Sequence, residues 1–465
     1  MISTLPYDSW SKEELIAKLR LLESDATGRP ASPRPLPPPS RKLRKPLDFA
    51  AHPRRKIALK FSYAGWAYNG LSIQSDATPL PTVEGVLFDA LAKARLVDPA
   101  VGMEGCGWER CGRTDRGVSA AGQVVSLWVR SALGRDALNS ADSAARDGET
   151  LKSVNQSPPE DFSDGLLDAA PARKTIDAPE REHSYALMLN RVLPHTIRIL
   201  AWSPVADSFS SRYSCISRHY KYFFPPEHLD VTRMAEAAAM LVGLHDFRNF
   251  CKIDGSKQIT LYKRRVLSAS INQHDHDRML VFDLIGTAFL YHQVRHIMAV
   301  LFLVGSGLEQ PNVVKAMLNV DGEGDARVET KPEYQMADSL PLVLYECHYA
   351  PNDVSWHTDR EPEQTEGLWH RLHSIQGRSQ MYATLNSAFH AAACAHHPAP
   401  RPVLPTHWHG FTPDNKTVMN IPLGGSEFRR TAKYIPLLKR PRGEHFDVVN
   451  ERWRSSRVHK DSEQQ

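Results

Sequence analysis

Between Ser131 and Glu182 the chain supplies few large apolar side chains. The stretch is polar and acidic, rich in Ala, Ser, Asp and Pro, and it buries too little to offset the entropy of ordering it. An inserted, largely disordered loop is expected there, with folded parts before and after it. A second break lies at Pro30–Pro53. There Pro37, Pro38 and Pro39 precede Arg41, Lys42, Arg44 and Lys45, a composition that builds no core and stays extended. Two readings of its charge stay open: a solvated linker, or a basic segment that attracts RNA or serves as a nuclear signal.

The remainder supports packing. At 465 residues with 42% hydrophobic side chains, the chain exceeds one small domain and fills a sizeable core. Ile57, Leu59, Phe61 and Tyr63 alternate with Ala58, Lys60 and Ser62, the period of a half-buried strand. Thr82 caps an expected helix to about Leu96, with Val83, Val86, Leu87, Ala90, Leu91 and Ala94 inward. Gly102 to Gly122 reads as a glycine-rich loop and Val124–Val129 as a strand. Further strands are expected at Arg218–Phe224, Leu280–Ile285 and Leu342–Tyr345, and helices at Met234–Val242 and Phe289–Val304, the latter stopped by Gly305 and Gly307. Interleaved strands and helices imply an α+β core over about 54–350, with halves at about 54–205 and 206–350. Before it lie a short helix at Ser11–Glu23, capped by Ser11 and Glu14, and the basic linker. After it lies an extension, 351–465. Its helical spacing runs through Leu368, Leu372, Ile375, Met381, Leu385 and Phe389, and again over Asp447–Arg454.

Composition narrows the function classes. A net charge of +4 leans mildly toward acidic partners, so any nucleic-acid surface must be local. Six scattered cysteines do not make a disulfide framework. The first residues include Asp8, Glu13 and Glu14 and no apolar signal core, and the apolar run Met298–Val304 is too short to span a bilayer. A soluble intracellular protein with no membrane partner is expected.

The segment richest in chemistry is Cys111-Gly112-Arg113-Thr114-Asp115-Arg116-Gly117-Val118-Ser119-Ala120. It sets a carboxylate between two arginines and flanks it with glycines that allow unusual dihedrals and close ligand approach. The arginines would keep the carboxylate ionised and contact phosphates, which suits a nucleophile or a base. An Arg–Asp pair in a glycine-rich turn is equally a structural device. Arg295 stands among Leu290, Val294, Ile297, Met298 and Leu301, where a charge needs a partner or an exposed edge. Cys394, His396, His397, His407 and His409 gather in the tail, but their spacing fits no zinc-finger pattern and the stretch is proline-rich.

The decapeptide resembles the signature of the TruA family of tRNA pseudouridine synthases. Other segments resemble family motifs in the same order: Lys60–Gly70, Arg218-His219-Tyr220-Lys221-Tyr222, Phe289–Arg295 and Leu340-Pro341-Leu342-Val343, with Ser339 where the family has glycine. Tyr68-Asn69-Gly70-Leu71, Val304–Leu308 and Tyr434–Pro441 are similar to the eukaryotic branch acting on tRNA positions 38 and 39. The resemblance implies the pseudouridine synthase fold: two α+β halves, a mixed, mainly antiparallel sheet and a central cleft. It implies isomerisation of uridine to pseudouridine in the tRNA anticodon stem-loop, without cofactor or metal. That reaction needs a flipped base, one carboxylate and a dry pocket.

It further implies Asp115 as catalytic carboxylate, Tyr220 as stacking aromatic and Arg295 as partner of Asp115. Arg113, Arg116, Leu340 and His292 would contact the substrate, while Tyr222 reads as an ordinary strand aromatic. A homodimer is implied by the bacterial type, and nucleus and cytoplasm are the expected compartments. Two rivals remain: a tRNA-binding protein or chaperone that has lost catalysis, and a metal-dependent hydrolase built on the tail histidines.

Overall fold

The computed structural model describes residues 47–74, 76–134, 182–274, 278–320, 327–358, 368–397 and 419–462. By backbone contacts the chain divides into Met1–Asp48 and Phe49–Gln465. All strands and helices of the described residues belong to the second unit. The helix expected at Ser11–Glu23, most of the basic linker and most of the insertion lie outside the described residues.

The strands of the main sheet are β1 (Arg54–Tyr63), β2 (Glu109–Arg110), β3 (Ser119–Arg130), β4 (Ile197–Pro204), β5 (Ser217–Phe224), β6 (Gly243–Asp246), β7 (Lys263–Gln273), β8 (Leu280–Gly286) and β9 (Leu342–His348). Among the described residues they form one sheet in the order β4-β1-β3-β9-β5-β8-β7-β6, with β2 paired on β3. All pairs are antiparallel except β3–β9. The helices are α1 (Val83–Lys93), α2 (Gly102–Gly105), α3 (Tyr185–Asn190), α4 (Val231–Ala239), α5 (Gln293–Gly305), α6 (Val313–Leu318), α7 (Leu368–Cys394) and α8 (Phe446–Ser462). A hairpin of β10 (Met419–Gly424) and β11 (Glu427–Thr431) forms a second, small sheet. The fold is α+β with a mixed, mainly antiparallel sheet.

Two hydrophobic cores flank the β3–β9 seam. One packs α1, α3, β1, β3 and β4 around Phe61, Leu87, Leu127, Tyr185 and Trp202. The other surrounds α5, which is buried from Val294 to Gly305 save for Arg295, against Tyr222, Phe224, Phe247, Phe250 and Phe282. Helix α5 carries apolar residues all round because β5, β8, α4 and the C-terminal hairpin enclose it.

Several boundaries differ from the sequence reading. The helix expected from Phe289 begins at Gln293. His292 takes a left-handed φ of +60°, so Phe289–His292 form the turn that leaves β8. Strand β3 starts at Ser119, five residues before the expected Val124, because its first two residues pair with Val343 and Leu344 of β9. The region read as a loop from Gly102 holds α2 and β2. The helices expected at Met234–Val242 and Asp447–Arg454 run over Val231–Ala239 and Phe446–Ser462.

The ends of the insertion are also ordered. The Glu182 carboxylate accepts hydrogen bonds from Ser131 Oγ (2.7 Å), Ala132 N (2.9 Å) and its neighbour His183 N (2.8 Å), and pairs with Arg55 at 3.0 Å. Burial raises the proton affinity of this carboxyl, but those partners together hold it below the usual range.

Candidate active site

The segment 111–118 links β2 to β3 as a tight, braced loop. Val118 N donates to Asp115 O at 3.1 Å and closes a four-residue turn. Its third residue, Gly117, has φ +84°, the left-handed value that a type II turn requires and only glycine adopts cheaply. Thr114 Oγ1 lies 2.6 Å from the buried Tyr63 hydroxyl, and Leu71 N donates to Thr114 O at 3.3 Å. Gly65 packs hardest. Its amide donates to Ser119 Oγ at 2.9 Å, and a Cβ there would stand 2.1 Å from Val118 O. Behind the loop, Gln123 donates to Gly112 O at 2.8 Å. The buried Glu84 accepts from Trp108 Nε1 at 2.9 Å and Ile73 N at 3.2 Å, and pairs with Arg110. The effect is to fix the Asp115 backbone before any substrate arrives.

The second half brings its groups to Asp115 across the seam. Ala120 of β3 pairs with Leu344 of β9, which pairs with Tyr220 of β5. Two strand spacings place Tyr220 about 10 Å from Ala120, five residues beyond Asp115. The Tyr220 ring meets Phe289 edge-on at 5.0 Å between centroids. Its surroundings, chiefly desolvation and further the nearby Asp115 carboxylate, hold its phenol far above the usual range, so it stays neutral. Arg218, two residues earlier, donates to Cys111 O (3.1 Å), Thr287 O (2.6 Å) and Arg212 O (2.8 Å), tying β5 to the loop.

The Asp115 carboxylate is about a quarter exposed, and Oδ2 lies 3.4 Å from Arg295 Nη1 and 3.3 Å from His292 Nε2. Arg295 is held from behind, its Nε donating to Ala337 O at 2.8 Å. His292 caps α5 in its strained left-handed conformation, its other ring nitrogen buried with no partner among the described residues. The flanking arginines do something else. Arg113 and Arg116 are exposed, and neither forms a described ion pair with Asp115; its partners come from α5, more than 170 residues away in sequence. The expectation that Arg113 and Arg116 hold the carboxylate is therefore corrected: both face solvent.

Leu340 is 48% exposed on the loop after Asp338, whose carboxylate accepts its amide at 2.8 Å. Tyr222 is fully buried and its hydroxyl donates to Asp338 O at 3.0 Å, a support for that loop. Asp246 pairs with Arg248 at 2.8 Å, and Lys252 lies over the Tyr291 ring at 5.6 Å. Of the tail cluster, His407 and His409 lie outside the described residues. Among the described residues no group of three metal-ligating side chains could hold an ion.

Four features escaped sequence reasoning. They are the bracing carboxylate of Glu84, the close approach of Gly65, the carbonyl of Ala337 and the pinning of the Ala337–Leu340 loop by the C-terminal hairpin. Glu84 carried one signal, a charge one residue from the inward-facing Val83. The others are contacts between distant segments and leave no local trace.

A part-buried carboxylate held by a guanidinium and an imidazole that reach it from the second core, with a neutral aromatic ring nearby, is the arrangement of a candidate catalytic centre. Residues 237–350 match the family described as tRNA pseudouridine synthase. The tRNA pseudouridine(38/39) synthase of Saccharomyces cerevisiae is 36% identical over 471 residues, covering 98% of this chain and 93% of that protein. The Homo sapiens protein of the same name is 40% identical over 333 residues, covering 70% and 61% respectively. A tRNA pseudouridine synthase A of Methanothrix thermoacetophila is 30% identical, covering 66% of this chain and 88% of its own. The chain belongs to the TruA family of tRNA pseudouridine synthases.

Proposed function

We propose that this enzyme isomerises uridine to pseudouridine at positions 38 and 39 of the tRNA anticodon stem-loop, with Asp115 as its catalytic carboxylate. The reading rests on one observation above others: an Asp115 carboxylate fixed at 3.4 Å by Arg295 and 3.3 Å by His292, beside the half-buried ring of Tyr220. The relatives from yeast, cattle, human and mouse, each named tRNA pseudouridine(38/39) synthase, support the target.

The chemistry follows from the groups. The bond from N1 of uracil to C1′ breaks, the base turns, C5 joins C1′, the C5 proton leaves and N1 takes up a proton. Nothing is consumed. Arg295 and His292 keep Asp115 anionic and aimed. Tyr220 offers a ring face to the flipped base. A phenol held neutral passes a proton only through its hydroxyl, not as a standing phenolate. The exposed Arg113 and Arg116 meet phosphates, and the exposed Leu340 packs against the base.

The test is pseudouridine mapping of an unmodified tRNA bearing uridines at 38 and 39, after incubation with wild type and Asp115→Asn. Product at those positions with wild type only is the expected result. Product elsewhere removes the positional assignment. Tight binding without product at any site gives the role of a tRNA-binding chaperone instead. Homodimerisation belongs to the same proposal, with support from α7, which has no buried residue and exposes Leu372, Tyr382, Leu385 and Phe389. Sedimentation of wild type against Leu385→Glu/Phe389→Glu tests it, and a monomeric wild type rejects it. Nuclear and cytoplasmic residence is likewise proposed, on the requirement of meeting tRNA, and is read by imaging a fluorescent fusion.

A further inference from the structure

The hairpin β10–β11 comes from the C-terminal extension, and no part of the chemistry above uses it. Its inner strand is explained by packing: Met419, Ile421 and Leu423 are buried against the core around α5. Its outer strand is not. Glu427, Phe428, Arg429 and Arg430 of β11 are all exposed, and Lys433 follows them, also exposed. Phe428 leaves 54% of its surface open. The three cations have no described ion pair, and Glu427 is the one acidic residue among them.

The hairpin is held rigidly beside the active site. Gly424 pairs with Glu427, leaving a two-residue turn of Gly425 and Ser426 at φ +59° and +65°. Positive φ at both positions marks the type I′ turn, whose twist suits a hairpin. The tip presses on the site's support. A Cβ on Gly424 would lie 2.1 Å from the Tyr222 hydroxyl, and one on Gly425 2.9 Å from Asp338 Oδ1. Leu423 O accepts from Asp338 N at 2.7 Å. Asp338 neighbours Ala337, which holds Arg295, and its carboxylate accepts the amide of Leu340. The exposed strand is thus carried on a hairpin whose tip braces the loop that holds Arg295 and bears Leu340.

We propose that β11 and Lys433 form a second RNA grip, in which Arg429, Arg430 and Lys433 bind phosphates of the strand flanking the target uridine while Phe428 stacks on a neighbouring unpaired base. The proposal rests on the functional reading above. RNA is favoured over protein because cations interleaved with an exposed aromatic match a backbone of charges bearing π-faces, and because the hairpin that carries them contacts, through its tip, the loop that holds Arg295. The hairpin therefore supplies affinity and register outside the catalytic groups.

The experiment uses the full chain and a transcribed, unmodified tRNA. Dissociation constants are measured by filter binding between 50 and 200 mM KCl for wild type, Arg429→Glu/Arg430→Glu and Phe428→Ala, with melting curves as the check on folding. The double variant is expected to bind about tenfold more weakly or worse, and its salt slope to fall by about 1.4, the value for two lost contacts to single-stranded phosphates. Phe428→Ala is expected to bind about five- to a hundredfold more weakly at an unchanged salt slope. The loss should fall on binding rather than on the rate at saturating enzyme. Unaltered affinity and slope in folded variants would overturn the grip while leaving the isomerase reading intact. A wild type that neither binds nor modifies tRNA would overturn both. Loss of a protein partner with undiminished tRNA affinity would reassign the patch to protein.

Discussion

Gly65→Ala isolates how much of the activity depends on loop position, because Gly65 touches no substrate group. The added methyl would stand 2.1 Å from Val118 O, 2.2 Å from Val118 C and 2.6 Å from Ser119 N, all backbone atoms. Ordinary contact begins near 3.4 Å, so the loop or the 65–67 turn must move by more than 1 Å. No side chain can swing aside to absorb it. Moving the backbone also stretches the 2.9 Å bond from Gly65 N to Ser119 Oγ. Overpacking of this kind costs about 1–3 kcal/mol of stability. Its catalytic cost should be larger in proportion. Val118 closes the turn on Asp115, and a displacement of about 1 Å at a reacting group costs about a hundredfold in rate. The assay is single-turnover pseudouridine formation at saturating enzyme, beside thermal melting and tRNA binding. The expected variant is folded, binds tRNA near wild-type affinity and reacts about a hundredfold more slowly. Wild-type turnover would show that the loop tolerates the shift and would refute the argument that Gly65 sets the position of Asp115.

Three further outcomes are expected. At 3.4 Å the Arg295–Asp115 attraction is about 5 kcal/mol for an effective dielectric of 20, reduced by water at a partly exposed carboxylate. Arg295→Ala should therefore slow single-turnover conversion by at least about a hundredfold while melting falls by only a few degrees, and full activity would deny the pairing a role. Tyr220→Phe keeps the ring and removes the neutral hydroxyl, so tRNA affinity should hold while the rate drops by about 10² or more. An unchanged rate would confine Tyr220 to stacking. The part-buried Lys331 donates to Cys251 O at 2.9 Å, and its ammonium is pushed down to about 8, chiefly by desolvation. A folded value below the unfolded 10.5 means that the fold disfavours the proton. The cost, on the order of 3 kcal/mol, is full at pH 8 and below and is relieved as pH rises toward about 10.5. Urea unfolding at pH 8 and pH 10 should show wild type gaining stability relative to Lys331→Met, and equal pH responses would contradict that.

The sequence determined the local grammar of this protein. Alternation in Ile57–Tyr63 specified a half-buried strand, and Thr82 capped α1 as its chemistry dictates, accepting from Gly85 N. Glycines around Asp115 announced a turn that only they allow, and the spacing of Leu368 to Phe389 announced a helix. These are properties of neighbouring residues, so they can be read along the chain. The resemblance of several short motifs in one order also pointed to the family.

Tertiary structure decided everything that depends on which distant segments meet. Next to Asp115 the residues alone offered two arginines as partners, yet both turn to solvent; the charge is met by Arg295, the partner that the family resemblance implied, and by His292, which it had placed on the substrate. His292 reads as helix by periodicity but is forced left-handed, where it reaches Asp115. Strand β3 gained its first residues by pairing with β9 and, at Ala120, with β1, and an extension with no visible role returned as a hairpin bracing the loop that holds Arg295. The physical reason is the same in each case. A part-buried charge or a backbone amide takes whichever partner the packed sheet delivers, and sequence distance plays no part in that choice.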